Sequence, residues 1–175
     1  MPVTITTKST KPPLLQVNFL SHATLECNDL RATRRFYEEV LGLEVIQHSP
    51  VAMMFRLGSN HVYAVVQTGK AKDMPLLNHN GLDVGSEEEV RQAHKLLESV
   101  REEYGIRKIN RAQWQHGAYS FFFQDLDGNW WEILANPPGG YSPMFGKPEI
   151  DMTGRPYEGP GAARATQAGR EQSPG

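Results

Sequence analysis

Two histidines and one glutamate have the residue types and positions to hold a metal ion together. Glu132 lies in the apolar run NWWEIL after the turn DLDG, and His22 and His79 open two similar segments of the chain. A carboxylate among apolar side chains is costly to bury unless a cation neutralises it. Two neutral imidazoles and one carboxylate form the facial triad of non-haem Fe(II) sites, which leaves positions open for substrate and O2. We predict that these residues bind one Fe(II) ion.

An internal repeat supports this assignment. The offset from His22 to His79 (79 − 22 = 57) equals the offset between the predicted helix N-caps Asp29 and Ser86 (86 − 29 = 57). A single histidine on a strand is more often a hydrogen-bonded core residue than a ligand, and the repeat is what favours the metal. The remaining chain has His48 at a strand end without a counterpart, and His94 on a helix at the core boundary.

Each copy of the repeat reads as one βαβββ module. The pattern of apolar residues and caps predicts, for the first copy, a strand over 17–27, a helix from Asp29 to Gly42, and strands over 44–48, 52–57 and 62–67. For the second copy it predicts a strand over 79–84, a helix from Ser86 with a capping box to Glu89 and an end at Gly105, and strands over 107–114, 119–124 and 130–134.

We therefore predict an α+β fold in which two βαβββ modules curl into a cupped half-barrel, with the metal site in the cup. The tryptophans Trp114, Trp130 and Trp131 are interpreted as core. The predicted domain organisation is a flexible segment over 1–15, the paired-module domain over 16–135, an irregular C-terminal arm over 136–160 and a disordered tail over 161–175. The arm keeps apolar residues from Tyr141 to Tyr157 and is expected to pack beside the cup.

Composition limits the functional classes. The 175 residues are 39% hydrophobic, enough for one core, and the formal charge of −2 comes without a basic run, so neither nucleic acid nor an anionic membrane is an expected partner. No apolar stretch approaches the length of a membrane span. The single cysteine, Cys27, alternates with polar residues and is expected to be a buried thiol. We expect a cytoplasmic protein.

The segments SHATLECNDLRATRRFYEEVLGLEV, NHNGLDVGSEEEVRQAH and SFFFQDLDGNWWEIL resemble the vicinal oxygen chelate superfamily over about residues 17–135. That superfamily includes glyoxalase I, fosfomycin-resistance enzymes, bleomycin-binding proteins and type I extradiol dioxygenases. The resemblance implies the paired βαβββ fold, places metal ligands at His22, His79 and Glu132, and makes a homodimer possible.

Three further residues bear on the branch of the superfamily. Glyoxalase I carries an acidic ligand at the end of the first module, where this chain has NHVYAVVQ without an acid. His61 in that segment resembles the histidine that extradiol dioxygenases use as acid and base. Before the third ligand the dioxygenase pattern has a histidine and a tyrosine. Here His116 precedes the ligand at shorter spacing, Phe122 occupies the tyrosine position, and Tyr119 lies near it. The resemblance implies that His116, with Tyr119 nearby, is a catalytic residue that hydrogen-bonds the second hydroxyl of the substrate or the bound oxygen.

The resemblance is greatest to small single-domain extradiol enzymes such as L-DOPA dioxygenases, and it implies Fe(II)-dependent ring cleavage of a small aromatic diol by O2. The alternatives are a glyoxalase-type lyase, a fosfomycin-type transferase on Mn(II) and a drug-binding protein without metal. The transferase would require a cluster of Lys, Ser and Arg, of which only Arg107, Lys108 and Arg111 are present. A drug-binding protein without metal would not explain why the Glu132 carboxylate lies among apolar residues.

Overall fold

The computed structural model describes residues 3–4, 9–58, 60–153 and 156–157. The chain divides into one unit over Asn18–Gly140 and a second formed by Met1–Val17 with Tyr141–Gly175. The tail predicted over 161–175 lies outside the described residues, and the other predicted boundaries stay predictions. In the described part of the chain, no helix has both the length and the apolar composition needed to cross a membrane.

The described strands and helices follow one another in a simple order. The strands are β1 (Val3–Thr4), β2 (His22–Cys27), β3 (Glu44–Ser49), β4 (Ala52–Arg56), β5 (Val62–Gln67), β6 (Asn80–Asp83), β7 (Lys108–Ile109), β8 (Gln113–Gln115), β9 (Ala118–Gln124), β10 (Trp130–Ala135) and β11 (Pro156–Tyr157). The helices are α1 (Leu30–Glu39), α2 (Glu87–Ser99) and α3 (Arg101–Tyr104), with 3-10 turns at Leu76–Asn78, Ser142–Gly146 and Pro148–Ile150.

The larger unit contains two separate sheets of the same design. The first has the strand order β2-β5-β4-β3, and the second has β6-β10-β9-β7 with β8 also paired to β9. In each sheet the strand that precedes the helix pairs in parallel with the last strand of its module, and the other neighbours are antiparallel. The predicted α+β class and the two βαβββ modules are confirmed, and the two sheets do not close into a barrel.

Two predicted strands have the wrong bounds. The first begins at His22 rather than at residue 17, because its hydrogen-bonding neighbour β5 begins opposite His22, at Val62. The strand predicted over 107–114 is broken into the short strands β7 and β8 by Asn110, Arg111 and Ala112. The first error occurs where apolar residues alternate but no partner strand continues alongside. In the second, β9 lies opposite both β7 and β8, and the pairing is interrupted between Ile109 and Gln113.

The helices begin where their capping residues require. The Asp29 carboxylate accepts hydrogen bonds from the backbone N–H groups of Arg31 and Ala32, and the Ser86 hydroxyl accepts one from Glu89. The Glu89 carboxylate in turn accepts from the backbone N–H of Gly85, one residue earlier than in a standard capping box. Gly105, with φ of 67°, ends α3 in the left-handed conformation that favours glycine.

One hydrophobic core joins both modules. Leu25 and Cys27 from β2 pack in the same cluster as Trp131 and Ile133 from β10, and the Tyr37 ring of α1 lies 5.7 Å from that of Trp131. Cys27 is fully buried as predicted, and burial raises the pKa of its thiol to about 11.

The assignment of Trp114 to the core is wrong. It lies on the short strand β8 and is 64% exposed, with its ring edge-on to Tyr119. Trp130 and Trp131 are buried as predicted.

The smaller unit contains the antiparallel pair of β1 with β11 and the last two 3-10 turns. Its segment from Tyr141 keeps apolar side chains at the surface, since Phe145 is 95% exposed and Met144 is 50% exposed. The packing of this arm beside the cup stays a prediction.

Candidate metal centre

Two of the three predicted ligands are adjacent. The Nε2 atom of His79 lies 3.3 Å from Oε2 of Glu132. His79 immediately precedes β6, and β6 runs parallel to β10 with Gly81 opposite Glu132. The parallel register therefore brings a residue at the start of one strand beside a residue near the middle of the next. Glu132 is 8% exposed, on a strand whose other residues from Trp130 to Leu134 are also buried.

The hydrogen bond of the other ring nitrogen determines how His79 faces this carboxylate. Nδ1 lies 2.8 Å from the carbonyl oxygen of Leu76, an acceptor, so Nδ1 carries a proton. In the neutral imidazole, Nε2 then presents a lone pair toward Oε2 of Glu132. Two lone-pair atoms at this separation repel unless a cation lies between them, and that cation is either a shared proton or a metal ion. A backbone carbonyl that orients an imidazole in this way is the usual support of a metal-ligating histidine.

The donor set fits a divalent first-row metal. Imidazole nitrogen and carboxylate oxygen bind such ions at about 2.1 Å, and two bonds of that length at an angle of about 100° span the observed 3.3 Å. The Phe122 ring lies beside the pair, 4.7 Å from the His79 ring and opposite Glu132 in the β9–β10 register. One wall of the site is therefore apolar, at the position where the extradiol pattern carries a tyrosine.

His22 is not brought to this pair. Among the described residues, no group of three or more His, Cys, Asp or Glu side chains is placed to hold a metal ion. His22 begins β2, is exposed, and has Nδ1 3.3 Å from the Ser21 hydroxyl. The three-residue site within one chain stays a prediction.

The shared core explains this separation. His22 lies on the opposite face of β2 from the core residues Leu25 and Cys27, and Glu132 lies on the opposite face of β10 from Trp131 and Ile133. Because all four of those core residues belong to one cluster, both ligand-bearing faces look away from it.

His61 lies just before β5. Its Nδ1 is 3.0 Å from the carbonyl oxygen of Leu20, and its ring is edge-on to Tyr63 at 5.2 Å. Tyr63 is on the core side of β5, where it stacks on Phe55 and donates a hydrogen bond to Oδ1 of Asn80. These contacts hold the His61 ring near the end of the first sheet, and its predicted role as acid and base stays a prediction.

His116 and Tyr119 each have a place in the fold, and their predicted catalytic roles stay predictions. His116, with φ of 51°, and Gly117, with φ of 84°, form the two-residue turn between β8 and β9. Positive φ at both central residues is typical of a type I′ hairpin turn. Tyr119 lies on the opposite face of β9 from Phe122, with the Arg91 guanidinium 4.6 Å from its ring centre. The structure does not bring Tyr119 to the Glu132 carboxylate.

Arg107 is also occupied. Its guanidinium donates to the Asp73 carboxylate and to the Leu126 carbonyl oxygen. One of the three basic residues considered for binding a phosphonate therefore has a structural role.

The turn DLDGN contains a buried polar cluster that the sequence interpretation treated only as a turn. The Asp125 carboxylate accepts hydrogen bonds from the backbone N–H groups of Asp127 and Asn129, from the Asn129 amide and from the Trp131 indole. Asp127 accepts from the Thr33 hydroxyl and the Asn28 backbone N–H in the first module. Burial raises the pKa of both carboxyls, that of Asp125 to about 6. In the sequence, the two aspartates separated by one residue, Asp125 and Asp127, were the signal from which this cluster could have been predicted.

The sequence matches the model of the Glyoxalase/Bleomycin resistance protein/Dioxygenase superfamily over residues 19–133. The match covers both modules and all three predicted ligands. The chain belongs to this superfamily.

Solved structures with the same fold are similar to this chain. The fosfomycin resistance protein FosX from Listeria monocytogenes, complexed with Mn(II) and sulfate, has a TM-score of 0.59 and 20% identity, over 74% of this chain and 99% of that one. A possible glyoxalase from Bacillus cereus has a TM-score of 0.55 and 23% identity, over 68% and 100% of the two chains. A lactoylglutathione lyase from Agrobacterium tumefaciens has a TM-score of 0.50 and 22% identity, over 71% and 96%. At these identities the likeness concerns the fold, and no curated protein matches the sequence.

Proposed function

We propose that this protein is a metal-dependent enzyme whose substrate binds the metal through two adjacent oxygens. The observation that carries the proposal is the His79–Glu132 pair, in which the carbonyl of Leu76 fixes the imidazole so that Nε2 faces a nearly buried carboxylate at 3.3 Å. The superfamily match and the Mn(II) in a structure of FosX support a metal at this place.

We propose that a second copy of the chain supplies His22. The ligand-bearing faces of the two sheets both look away from the shared core, so the face with His22 is available to a neighbouring chain. In a two-fold symmetric dimer each site would then combine His79 and Glu132 of one subunit with His22 of the other.

The reaction that we propose is extradiol cleavage of a small aromatic diol, with both atoms of O2 entering the product. Bound Fe(II) would supply the redox chemistry that joins O2 to the ring. His79, Glu132 and His22 would hold the ion and leave positions for the substrate, while Phe122 would shield one side from water. His61 would take a proton from the diol and return it during ring opening. The alternative reaction is one of the FosX type, with Mn(II) as the metal. The FosX structure that contains Mn(II) is the observation that favours this metal.

Metal binding tests the centre first. Anaerobic titration with Fe(II) or Mn(II) should give one ion per chain for the wild type, and His79→Ala and Glu132→Ala should each abolish it. His48→Ala is the matched control, since His48 is an exposed histidine on a strand away from the pair. Full occupancy in Glu132→Ala would mean that a proton, and not a metal, joins His79 to Glu132.

Mixing two variants that cannot bind metal tests whether a second copy of the chain supplies His22. His22→Ala and Glu132→Ala should each fail to bind metal alone. After the two are unfolded and refolded together, half of the dimers would be mixed and each would hold one intact site, which gives about a quarter of the wild-type stoichiometry. Absence of any recovery would contradict a site shared between subunits.

Substrate tests separate the reactions. The Fe(II)-loaded protein, given catechols in air, should form yellow ring-opened products with uptake of one O2 per product. If the protein instead converts a thiol adduct of methylglyoxal, or modifies fosfomycin with Mn(II), and ignores catechols, the dioxygenase proposal is wrong while the metal centre stands.

A further inference from the structure

The segment that leads into His79 lies against the turn DLDGN of the second module. Between β5 and His79, where every residue is described, the 3-10 turn Leu76–Asn78 is the one regular element. Just before that turn, the N–H of Met74 donates a hydrogen bond to the carbonyl oxygen of Gly128 at 2.9 Å. The Leu76 carbonyl that accepts from the His79 imidazole belongs to the 3-10 turn. The direction of the imidazole therefore depends on where this segment is held.

Gly128 lets the segment come this close. A Cβ atom there would lie 3.0 Å from the Cα atom of Asp73, 2.7 Å from its Oδ1 and 3.0 Å from Nη1 of Arg107. Cβ atoms do not approach a backbone atom so closely, and the φ of 93° at Gly128 also favours glycine. The backbone of the segment therefore rests directly on the turn.

The Arg107 guanidinium joins the segment to the turn. Nη1 donates to Oδ1 of Asp73 on the segment at 2.5 Å, while Nε and Nη2 donate to the carbonyl oxygen of Leu126 on the turn at 3.1 and 2.8 Å. The planar fork of a guanidinium makes both contacts at once, which an amide could not do. The Arg107 backbone is itself fixed, because its N–H donates to the carbonyl of Gln124 and its own carbonyl accepts from Arg101.

The same turn leads into the other ligand. The Trp131 indole, next to Glu132 in the chain, donates to the Asp125 carboxylate at 2.9 Å. β10 therefore leaves the turn in a fixed direction, and Glu132 with it. His79 is held from its other side by the sheet, since Asn80 directly after it pairs with Trp131. Both ligands therefore depend on the position of one turn.

We infer that Arg107 is a positioning residue for the metal centre. Its bonds hold the 3-10 turn in place, and the Leu76 carbonyl of that turn orients the His79 imidazole toward Glu132. The inference rests on the proposed function, which makes His79 a metal ligand. The Asp73–Arg107 pair adds little to the free energy of unfolding, since the two side chains are 59% and 36% exposed and water screens their charges. Loss of the pair should therefore change the metal affinity more than the stability.

Metal affinity tests the inference. Anaerobic calorimetric titration with Mn(II) should give one ion per chain for the wild type and for Arg107→Gln, with about tenfold weaker binding in the variant. Asp73→Asn should weaken binding in the same direction, because the amide lacks the charge that Arg107 binds.

Hydrogen exchange of the metal-free protein gives a second readout that needs no metal. The backbone N–H groups of Met74 and His79 donate hydrogen bonds at 2.9 and 3.2 Å. In Arg107→Gln both amides should exchange several-fold faster, because the segment opens more often. Amides in the β9–β10 ladder should keep their wild-type rates.

Arg35→Gln is the matched control, since Arg35 is also an exposed arginine whose ion pair, with Glu103, joins distant parts of the chain. It should keep the wild-type affinity for Mn(II) and the wild-type exchange of the segment. Wild-type affinity in Arg107→Gln overturns the inference even if urea unfolding shows lower stability, because a contact that only supports the fold would act that way. If the wild type binds no Mn(II) but Arg107→Gln still speeds exchange at His79, the metal centre is wrong, while the role of Arg107 in holding the imidazole is right.

Discussion

The buried carboxyl of Asp125 predicts how stability changes with pH. Two physical effects oppose each other there. Burial favours the neutral acid, while four hydrogen bonds donated by N–H groups favour the anion. Burial is the larger, and the neighbouring Asp127 adds to it, so the pKa rises from 3.8 to about 6.

The sign of the effect follows from that direction. Below pH 3.8 the group is protonated in the folded and in the unfolded chain, and its stabilising contribution is fully present. Between pH 3.8 and about 6 only the folded chain holds the proton, so the free energy of unfolding falls as the pH rises. The slope is about 1.4 kcal/mol per pH unit. Asp125 alone should therefore lower the free energy of unfolding by about 2 kcal/mol between pH 4.5 and 7.

Asp125→Asn isolates this contribution, because the amide does not titrate. The variant should be less stable throughout, since its NH2 group would face the donors of Trp131 and Asn129. The measurement is urea unfolding of both proteins from pH 4.5 to 7. The stability advantage of the wild type over Asp125→Asn should shrink by about 2 kcal/mol as the pH rises. An advantage that grows with pH would refute the reasoning, because the four donors would then outweigh burial.

The remaining predictions concern single residues. Thr33→Val keeps the shape of the side chain but leaves the Asp127 carboxylate without the Thr33 hydroxyl, so urea unfolding should show a loss of about 1.5–3 kcal/mol. His116→Gly should raise the melting temperature, because glycine removes about 1 kcal/mol of left-handed backbone strain, and a lower melting temperature would argue against the turn. His61→Phe should retain Fe(II) binding while catechol turnover in an O2-uptake assay falls about 10²–10⁴-fold, and wild-type turnover would remove His61 from the mechanism.

The sequence predicts the modules well because each element carries its own local signal. Asp29 and Ser86 cap the helices, and alternating apolar residues identify the strands. The bounds are less predictable, since a strand continues only while a neighbour pairs with it. Phe19 fits the alternation, but the pairing with β5 starts only at His22, opposite Val62. Phe19 is therefore outside the strand, and it is 63% exposed.

The candidate site is only partly predictable for a different reason. The repeat identifies His22 and His79 as equivalent positions, and the parallel pairing of β6 with β10 brings His79 to Glu132. A repeat does not determine which faces of its two copies bury each other. That choice depends on side chains such as Tyr37 and Trp131, which join the modules on the side away from the ligands.

The link from Asp127 to the first module makes folding depend on late parts of the chain. The Asn28 N–H and the Thr33 hydroxyl, at the start of α1, bond to a carboxylate 99 and 94 residues further along. During synthesis, these two polar groups at the start of α1 therefore have no hydrogen bond to Asp127 until the second module has been made. Such distant contacts slow folding, because a long loop must close before they form. Although the modules repeat one design, we expect them to unfold in a single cooperative step.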